Sequence, residues 1–394
     1  MGSVHRHDHI VRKLMAVPAL LLPICLCSCS GKNRADETPM EQSKSSSPKS
    51  AAKPETNSQV KVDAHKYVFK KPDHVKGLYL TAWTAGSSKL RERVLGIADR
   101  TEINAVVIDV RDMGEMYFKT GIPLAEESGA TKLAVPRPFA LFDSLTKHQV
   151  WPIARIACFR DDFVTKKHPE LAVQLKNGKV WQDRAKHRWL DPYNKKNWDY
   201  LAQTVDFALD LGFPEIQLDY VRFPSEGKSA SQVFPAKEEY AKKGDRNEDV
   251  ISAFAKFISD KVHARKATIS ADIFGIISST KGDEGIGQQL EKVAAPFDVL
   301  SPMVYPSHFA KGEYGIANPN TSPYEIVKKS LSDYKKRLPS VTIRPWLQDF
   351  SLMGVHYGEA QVKAQIKAAH DLGYDGYLLW NPKNRYTESG LGKK

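Results

Sequence analysis

Cysteine is scarce in this 394-residue chain, and it is concentrated near the N-terminus. Three of the four cysteines lie within residues 25–29, so the rest of the chain contains only Cys158. This distribution excludes a disulfide framework and a cysteine-rich metal site from the folded part. No His-x-His or His-Glu-x-x-His pattern occurs after the N-terminal segment, which argues against a zinc or di-metal hydrolase. We therefore expect no metal ion and no other cofactor.

Signatures of nucleotide and nucleic-acid binding are also absent. No Gly-x-Gly-x-x-Gly follows the first predicted strand, and the Gly-Lys-Ser run at residues 227–229 has Arg222 where a phosphate-binding loop requires glycine. Lys and Arg total 58 against 46 Asp and Glu, a formal net charge of +12, but the basic residues are scattered among the predicted helices. Because they do not interleave with aromatic residues, we expect no nucleic-acid partner. The positive charge favours anionic surroundings such as phospholipid or wall polymers.

Long apolar runs are absent except at residues 14–28, directly after a basic pair. This run is shorter than the ~20 apolar residues of a stable membrane span, and its length is typical of a secretory signal peptide. It ends in Leu-Cys-Ser-Cys at residues 26–29, which resembles a bacterial lipobox. The resemblance implies that residues 1–28 are removed and that a diacylglyceryl group is attached to Cys29, with Cys27 as a second candidate. A plain signal peptide with incidental cysteines is the alternative.

The segment that follows, residues 29–74, is predicted to be a flexible tether. Residues 30–60 are rich in Ser, Lys, Pro and Glu and have almost no large apolar side chains, so they bury too little surface to offset their ordering entropy. A lipid anchor followed by a polar spacer predicts an exported protein held at a membrane of the cell envelope. Ser30 differs from the Asp that commonly retains lipoproteins in an inner membrane, which favours the outer membrane in a cell that has one. The sequence leaves the oligomeric state open.

Residues 75–394 alternate between short apolar runs and amphipathic helical segments. Eight runs have the length and composition of strands buried on both faces, namely residues 77–83, 105–112, 151–159, 215–223, 268–275, 299–306, 342–350 and 376–382. Helical spacing of apolar residues predicts helices at residues 88–100, 197–211, 249–262, 322–338 and 359–372. This alternation favours an α/β fold of the closed (β/α)8 TIM-barrel type over an open doubly wound sheet. Only twelve residues follow the last run, so the final helix should be short or missing.

Polar side chains late in these strands indicate the active site, because the carboxyl ends of the strands of such a barrel converge on one axis. Asp219 and Asp272 stand deepest in otherwise apolar strands, where a carboxylate is costly unless it is paired or functional. They lie on adjacent predicted strands, and two carboxylates facing one cleft are what glycoside hydrolysis requires. We therefore predict that both are catalytic, Asp219 as nucleophile or base and Asp272 as acid. The alternative is that Asp219 only pairs with Arg155 or Arg222.

Aromatic rings and further polar groups at the same edge are expected to bind the sugar. Flat apolar rings provide surfaces on which a sugar can stack, and the charged groups would orient or balance the two carboxylates. The predicted substrate-binding residues are Trp83, Asp112, Arg155, Tyr220, Arg222, Tyr305, Trp346, Gln348, Trp380 and Asn381.

Several segments resemble a bacterial family of barrel glycoside hydrolases known as a domain of unknown function. They include Ala-Val-Val-Ile-Asp-Val-Arg-Asp at residues 105–112, Leu-Asp-Tyr-Val-Arg-Phe-Pro at 218–224 and Trp-Leu-Gln-Asp-Phe at 346–350. The resemblance covers about residues 75–390 and extends distantly to α-amylases and α-galactosidases. It implies the barrel fold and the hydrolysis of glycosidic bonds in a carbohydrate substrate.

The likeness to α-amylases further implies a nucleophile at the end of the fourth barrel strand and an acid at the end of the fifth, where Asp219 and Asp272 fall. In that group the acid is usually Glu, so the shorter Asp272 leaves open whether the anomeric configuration is retained or inverted. α-Galactosidases carry the acid on the sixth strand, but residues 303–306 contain no carboxylate. The alternative function is a non-catalytic glycan-binding or scaffold lipoprotein. A barrel of that kind could tolerate loss of one carboxylate, so the presence of both Asp219 and Asp272 favours an enzyme.

Overall fold

The computed structural model describes residues 67–227, 229–240 and 244–394. The predicted signal peptide, the lipidation site Cys29 and most of the predicted tether lie outside the described residues. No helix in the described part of the chain combines the length and the hydropathy needed to cross a membrane.

Ten strands in the described residues form one sheet that closes into a barrel. They are β1 (Lys76–Leu80), β2 (Ala105–Asp112), β3 (Glu115–Met116), β4 (Trp151–Ala157), β5 (Glu215–Asp219), β6 (Thr268–Phe274), β7 (Val299–Met303), β8 (Thr342–Ile343), β9 (Trp346–Gln348) and β10 (Tyr377–Trp380). The strands pair in parallel, except that β3 forms a short antiparallel hairpin with the end of β2. Because β1 pairs with both β2 and β10, the sheet has no free edge along the barrel wall. The predicted (β/α)8 barrel is confirmed.

Helices connect the strands around the outside of the barrel. They are α1 (Ala82–Gly86), α2 (Ser88–Arg100), α3 (Pro123–Glu127), α4 (Pro138–Lys147), α5 (Val164–Lys167), α6 (Lys195–Asp210), α7 (Lys237–Tyr240), α8 (Asn247–Ala264), α9 (Leu290–Ala294), α10 (Pro323–Arg337) and α11 (Glu359–His370). The five predicted helices correspond to α2, α6, α8, α10 and α11. The other six helices were not predicted. Of these, α4 begins with proline at its first helical position, and α1, α3, α5, α7 and α9 have five residues or fewer, too short to show a periodic pattern.

The seventh barrel position differs from its prediction. Residues 342–350 were expected to form one strand, but β8 and β9 are separated at Arg344 and Pro345. Pro345 has no N–H to donate to a strand ladder, and Arg344 turns its guanidinium into the barrel. After β10 the described chain has only one 3-10 turn, Glu388–Gly390, so the prediction of a short or missing final helix is confirmed.

Packing onto the barrel begins before β1. Tyr67, which the sequence analysis placed in the tether, is buried, and its hydroxyl donates to Asp143 Oδ1 at 2.8 Å. Its ring lies 5.3 Å from that of Phe142 on α4. The residues just before β1 therefore cover part of α4.

The end of the barrel interior where the strands begin contains a buried ion pair. Arg344 donates from Nη2 to Glu215 Oε1 and from Nη1 to Oε2, the latter at 3.3 Å. Trp151 Nε1 and Ser270 Oγ each donate to the same carboxylate at 2.8 Å. This polar layer lies below the groups at the carboxyl ends of the strands.

Candidate active site

Four carboxyl groups surround the buried guanidinium of Arg155 where the strands end. Arg155 extends inward from β4 and donates from Nη1 to Asp109 Oδ1 and from Nη2 to Asp219 Oδ2, both at 2.6 Å. Asp112 Oδ1 lies 3.5 Å from Nη1, and Asp272 Oδ2 lies 4.0 Å from Nε. One cation faces four acids in a buried setting, where unbalanced negative charge is costly. The cluster therefore retains protons at neutral pH. We call these five residues the Arg155 cluster.

Asp219, the last residue of β5, has hydrogen-bond donors on both carboxylate oxygens. Oδ2 accepts from Arg155 Nη2 at 2.6 Å and from Nε at 3.1 Å. Oδ1 accepts from the backbone N–H of Tyr220 at 2.6 Å. Tyr220 has a φ of 51°, which is rare for a bulky residue and is typical of strained functional turns. The Asp219 side chain is 11% exposed, so it is an ion-paired and oriented carboxylate that keeps a small solvent-accessible surface.

Asp272, on β6, has a different environment although it lies on the neighbouring strand. Its Oδ1 accepts from Trp346 Nε1 at 2.6 Å and from Gln217 Nε2 at 2.5 Å, whereas Oδ2 has no hydrogen-bond partner. The side chain is 1% exposed. Burial, reinforced by the charge of Asp219, raises the pKa of Asp272 to about 8 against the opposing effect of Arg155. Asp272 is therefore protonated at neutral pH, as a general acid must be.

Asp109 is a member of the Arg155 cluster that the sequence analysis did not assign to the site. Its Oδ2 accepts from the Tyr79 hydroxyl at 2.5 Å, while Oδ1 is bonded to Arg155. Burial raises the pKa of Asp109 to about 7, although Arg155 opposes the shift. The sequence contained a signal that could have assigned Asp109 to the site. Side chains alternate along a strand, and Asp109 is in phase with Ala105 and Val107, which face the barrel interior. Asp112, which was predicted, is bonded less closely and is partly exposed.

The predicted aromatic residues Tyr305, Trp346 and Trp380 are brought together at the mouth of the barrel. Trp380 stacks on Tyr79 with ring centroids 3.8 Å apart and packs edge-on against Trp346 at 5.4 Å. The guanidinium of Arg155 lies 5.4 Å from the Trp380 ring. Tyr305 and Trp346 are buried, whereas Trp380 is half-buried. Trp380 therefore has ring surface left for a sugar, and Trp346 contributes chiefly its N–H to Asp272.

Two predicted sugar-binding amides, those of Gln348 and Asn381, are engaged in holding loops together. Gln348 Oε1 accepts from the backbone N–H of Ser307 at 3.1 Å, and its Nε2 donates to the carbonyl of Phe350 at 2.8 Å. Asn381 Nδ2 donates to the carbonyls of Asp349 and Arg385, at 2.5 and 2.6 Å. These bonds connect the segments that follow β7, β9 and β10.

The predicted residues Arg222 and Trp83 lie apart from the Arg155 cluster. The Arg222 guanidinium donates to Glu226 Oε1 at 2.8 Å and lies 4.7 Å from the rings of Trp189 and of Phe274. Of the two pairings considered for Asp219, the one with Arg155 is therefore the one formed. Trp83 is 59% exposed on α1, directly after β1, so its ring faces solvent at the same end of the barrel.

Comparison with family models identifies a match over most of the chain. A family described as "Putative glycosyl hydrolase domain" matches residues 77–386, a range that contains the whole Arg155 cluster. Comparison with curated protein sequences gives no match.

Of three similar proteins with solved structures, the second and third share the barrel fold. A hypothetical protein from Ruminiclostridium thermocellum ATCC 27405 is 35% identical over 50% of this chain and 96% of that chain, with a TM-score of 0.45. The PgaB (BpsB) glycoside hydrolase domain from Bordetella bronchiseptica is 12% identical over 82% of this chain and 99% of that chain, with a TM-score of 0.61. The α-galactosidase TtGalA from Thermus thermophilus is 13% identical over 80% of this chain and 60% of that chain, with a TM-score of 0.50. The chain therefore belongs to the glycosyl hydrolase domain family that matches residues 77–386, and it is a glycosidase with a (β/α)8 barrel.

Proposed function

We propose that this glycosidase cleaves a polysaccharide of the cell envelope or the extracellular space, with Asp219 as nucleophile or base and Asp272 as acid. The observation that carries the proposal is the contrast between these two neighbouring carboxyl groups. Asp219 is ion-paired with Arg155 through two donors, whereas Asp272 has a pKa raised to about 8 and an oxygen without a hydrogen-bond partner. When the surroundings favour the charged form of one carboxyl group and the neutral form of the other, the first is suited to act as base or nucleophile and the second as acid.

The chemistry follows from these assignments. The proton on Asp272 passes to the glycosidic oxygen while the bond between that oxygen and the anomeric carbon breaks. The carbon accepts an electron pair either from Asp219 directly or from a water molecule whose proton Asp219 takes. In the first case a glycosyl ester forms, and the Asp272 carboxylate then removes a proton from the water that hydrolyses it, which restores both groups.

The spacing of the two groups favours the first route. Asp219 Oδ2 lies 3.1 Å and Asp272 Oδ2 lies 4.0 Å from the same nitrogen, Arg155 Nε. These two oxygens are therefore at most about 7 Å apart. Retaining enzymes have carboxyl groups ~5 Å apart, within this limit, whereas most of the ~6.5–9.5 Å range of inverting enzymes lies above it. We accordingly propose retention of the anomeric configuration.

Two features support a polymer as the substrate. Asp272 is enclosed, so a sugar must displace part of its cover to reach Oδ2, and binding energy from remote sugar units can drive such a change. The exposed ring of Trp83 lies at the same end of the barrel as the half-buried ring of Trp380, and provides a stacking surface for a distant sugar unit. A small glycoside would not need both surfaces.

The proposed location rests on the N-terminal sequence and on charge. A lipid on Cys29 and a polar segment after it would hold the barrel near a membrane of the envelope. The net charge of +12 would favour contact with anionic envelope polymers.

The test is hydrolysis of a panel of polysaccharides by the purified full-length chain in detergent. The panel contains peptidoglycan, poly-N-acetylglucosamine, chitin and α-galactan, and the readouts are released reducing ends and the anomer formed first, observed by NMR. Asp219→Asn and Asp272→Asn should each lower kcat by about 10³-fold. The matched control is Asp349→Asn, a buried carboxyl group after β9 that bonds Thr387 instead of Arg155 and should change kcat by less than about threefold.

The opposite results are equally informative. Calorimetric binding of a polysaccharide without release of reducing ends would contradict hydrolysis and support the glycan-binding alternative. Near-normal turnover in Asp272→Asn would remove its assignment as acid. The acid would then be identified by comparing Asp112→Asn with Asp109→Asn on the same substrate.

A further inference from the structure

The two oxygens of Asp272 differ in their hydrogen bonding. Both donors to this carboxyl group, Trp346 Nε1 at 2.6 Å and Gln217 Nε2 at 2.5 Å, reach the same oxygen, Oδ1. The other oxygen, Oδ2, is buried without a hydrogen-bond partner, and Arg155 Nε lies 4.0 Å from it. A carboxyl oxygen has two lone pairs in its plane, so an oxygen that already accepts two N–H groups is a poor place for a proton.

The orientation of the Gln217 amide is set from the layer below. Its Oε1 lies 3.4 Å from Nη2 of Arg344, a guanidinium that can only donate. Arg344 is in turn held by the buried carboxylate of Glu215. If the Gln217 amide were reversed, its NH2 group would face the donors of Arg344, so the ion pair keeps that NH2 directed at Asp272.

We infer that Trp346 and Gln217 are positioning residues for Asp272, and that by occupying Oδ1 they place its transferable proton on Oδ2. This inference rests on the proposed role of Asp272 as the acid. Oδ2 is the oxygen nearer to Arg155 Nε, which also contacts Asp219, so the proton lies on the side of the carboxylate that would attack the anomeric carbon. When the proton leaves, the negative charge on Asp272 is stabilised by the two N–H groups already aligned on Oδ1.

The proton affinity of Asp272 reflects these donors together with its charged neighbours. Asp219 from β5, Arg155 from β4 and the phenol of Tyr305 after β7 face it, and its pKa is raised by burial and by Asp219. Trp346 and Gln217 act in the other direction, because they stabilise the ionised form. Removing either donor should therefore make Asp272 harder to ionise and a weaker acid.

The experiment measures the titration of Asp272 in the full-length chain carrying ¹³C-labelled aspartate carboxyl groups. The Asp272 signal is identified by its loss in Asp272→Asn. Trp346→Phe removes one donor and Gln217→Leu removes the other, and each should raise the titration midpoint by about one pH unit. Trp198→Phe is the matched control, because Trp198 Nε1 donates to the carbonyl of Pro192 outside the barrel interior. In this variant the titration midpoint of Asp272 should stay at the wild-type value.

Activity measurements separate this inference from the proposed function. An unchanged or lowered midpoint in both variants, with each still folded by circular dichroism, would overturn the positioning role. A raised midpoint together with a lower kcat on the most rapidly hydrolysed polysaccharide of the panel supports both proposals. A raised midpoint with unchanged kcat would support the positioning role and contradict the assignment of Asp272 as the acid.

Discussion

Asp219 and Asp272 are the same residue type on neighbouring strands, so their different chemistry comes entirely from their neighbours. Two guanidinium donors and a backbone N–H hold Asp219, and these groups satisfy its charge. Asp272 has only neutral donors within hydrogen-bond distance, and burial makes its charged form costly. A proton on Asp272 therefore removes charge from a site where Arg155 already faces Asp109 and Asp219.

Replacing Asp272 with Asn should stabilise the protein at alkaline pH. The pKa of Asp272 rises from 3.8 to about 8 on folding, so its protonated form favours the native state, and that contribution is lost as the pH rises towards 8. Asn resembles the neutral acid and avoids this loss. The free energy of unfolding of Asp272→Asn minus that of wild type should be about 2 kcal/mol or more larger at pH 8 than at pH 5. Urea denaturation at the two pH values measures this difference.

The control for that measurement is Asp210→Asn, which changes an exposed carboxylate paired with Arg265. Its difference from wild type should be nearly the same at both pH values. A pH-independent difference for Asp272→Asn would contradict the raised pKa. Stabilisation combined with lost turnover is the trade-off expected of a strained active-site group.

At the scale of the secondary-structure elements, polar contacts across the barrel interior connect strands that are distant in sequence. Arg344, at the break between β8 and β9, pairs with Glu215 at the start of β5. Arg344 is in phase with Trp346, whose indole N–H also faces the barrel interior, so alternation along the chain directs both side chains inward. This pair supports Gln217, and through it Asp272, so Arg344 of the seventh barrel strand acts on the site from the layer below it.

Glu215→Gln should destabilise the barrel strongly. The substitution leaves the guanidinium of Arg344 buried without a charged partner, which costs about 3–5 kcal/mol of unfolding free energy. The exposed pair of Asp210 with Arg265 is the comparison, and Asp210→Asn should cost less than about 1 kcal/mol. Urea unfolding at neutral pH measures both. Equal effects of the two substitutions would show that the buried pair contributes no more than a surface pair.

At the scale of the whole molecule, the charged groups are divided between a buried site and a basic exterior. The Arg155 cluster has more acids than bases, whereas the chain as a whole has a net charge of +12. An outer surface of this sign favours anionic polymers or lipid headgroups, while the acidic site is where we propose that the chemistry takes place. Both features fit a hydrolase that acts at an envelope surface, which is the location we propose.

Cys29→Ala should release the protein from membranes. Loss of the acylated thiol removes the proposed anchor, so the full-length chain should move from the membrane pellet to the soluble fraction of its bacterial host and should no longer incorporate labelled palmitate. Cys27→Ala is the matched control and should leave both properties unchanged. Labelling that is lost in Cys27→Ala instead would move the lipid site to Cys27, and the absence of labelling in the wild type would contradict the anchor.

The barrel could be predicted because its signals are local. Most barrel strands are nearly continuous apolar runs, and the long predicted helices repeat apolar residues at helical spacing, so the alternation of strand and helix can be predicted without any tertiary contact. The end of the barrel that contains the candidate site could also be predicted, since the parallel strands all end on one side. Asp219 and Asp272 were predicted to be catalytic because a carboxylate in an apolar strand is costly unless it is paired or functional.

The contacts that distinguish the two carboxyl groups were decided by the tertiary structure alone. Trp346 and Asp272 are 74 positions apart, and only closure of the barrel brings the indole N–H to that oxygen. The same holds for Tyr79 with Asp109 and for Arg344 with Gln217. Hydrogen bonds between side chains from different strands depend on register, direction and depth, which no segment contains by itself. The sequence therefore determined the barrel and the acids at its mouth, and the closed barrel determined which of them keeps its proton.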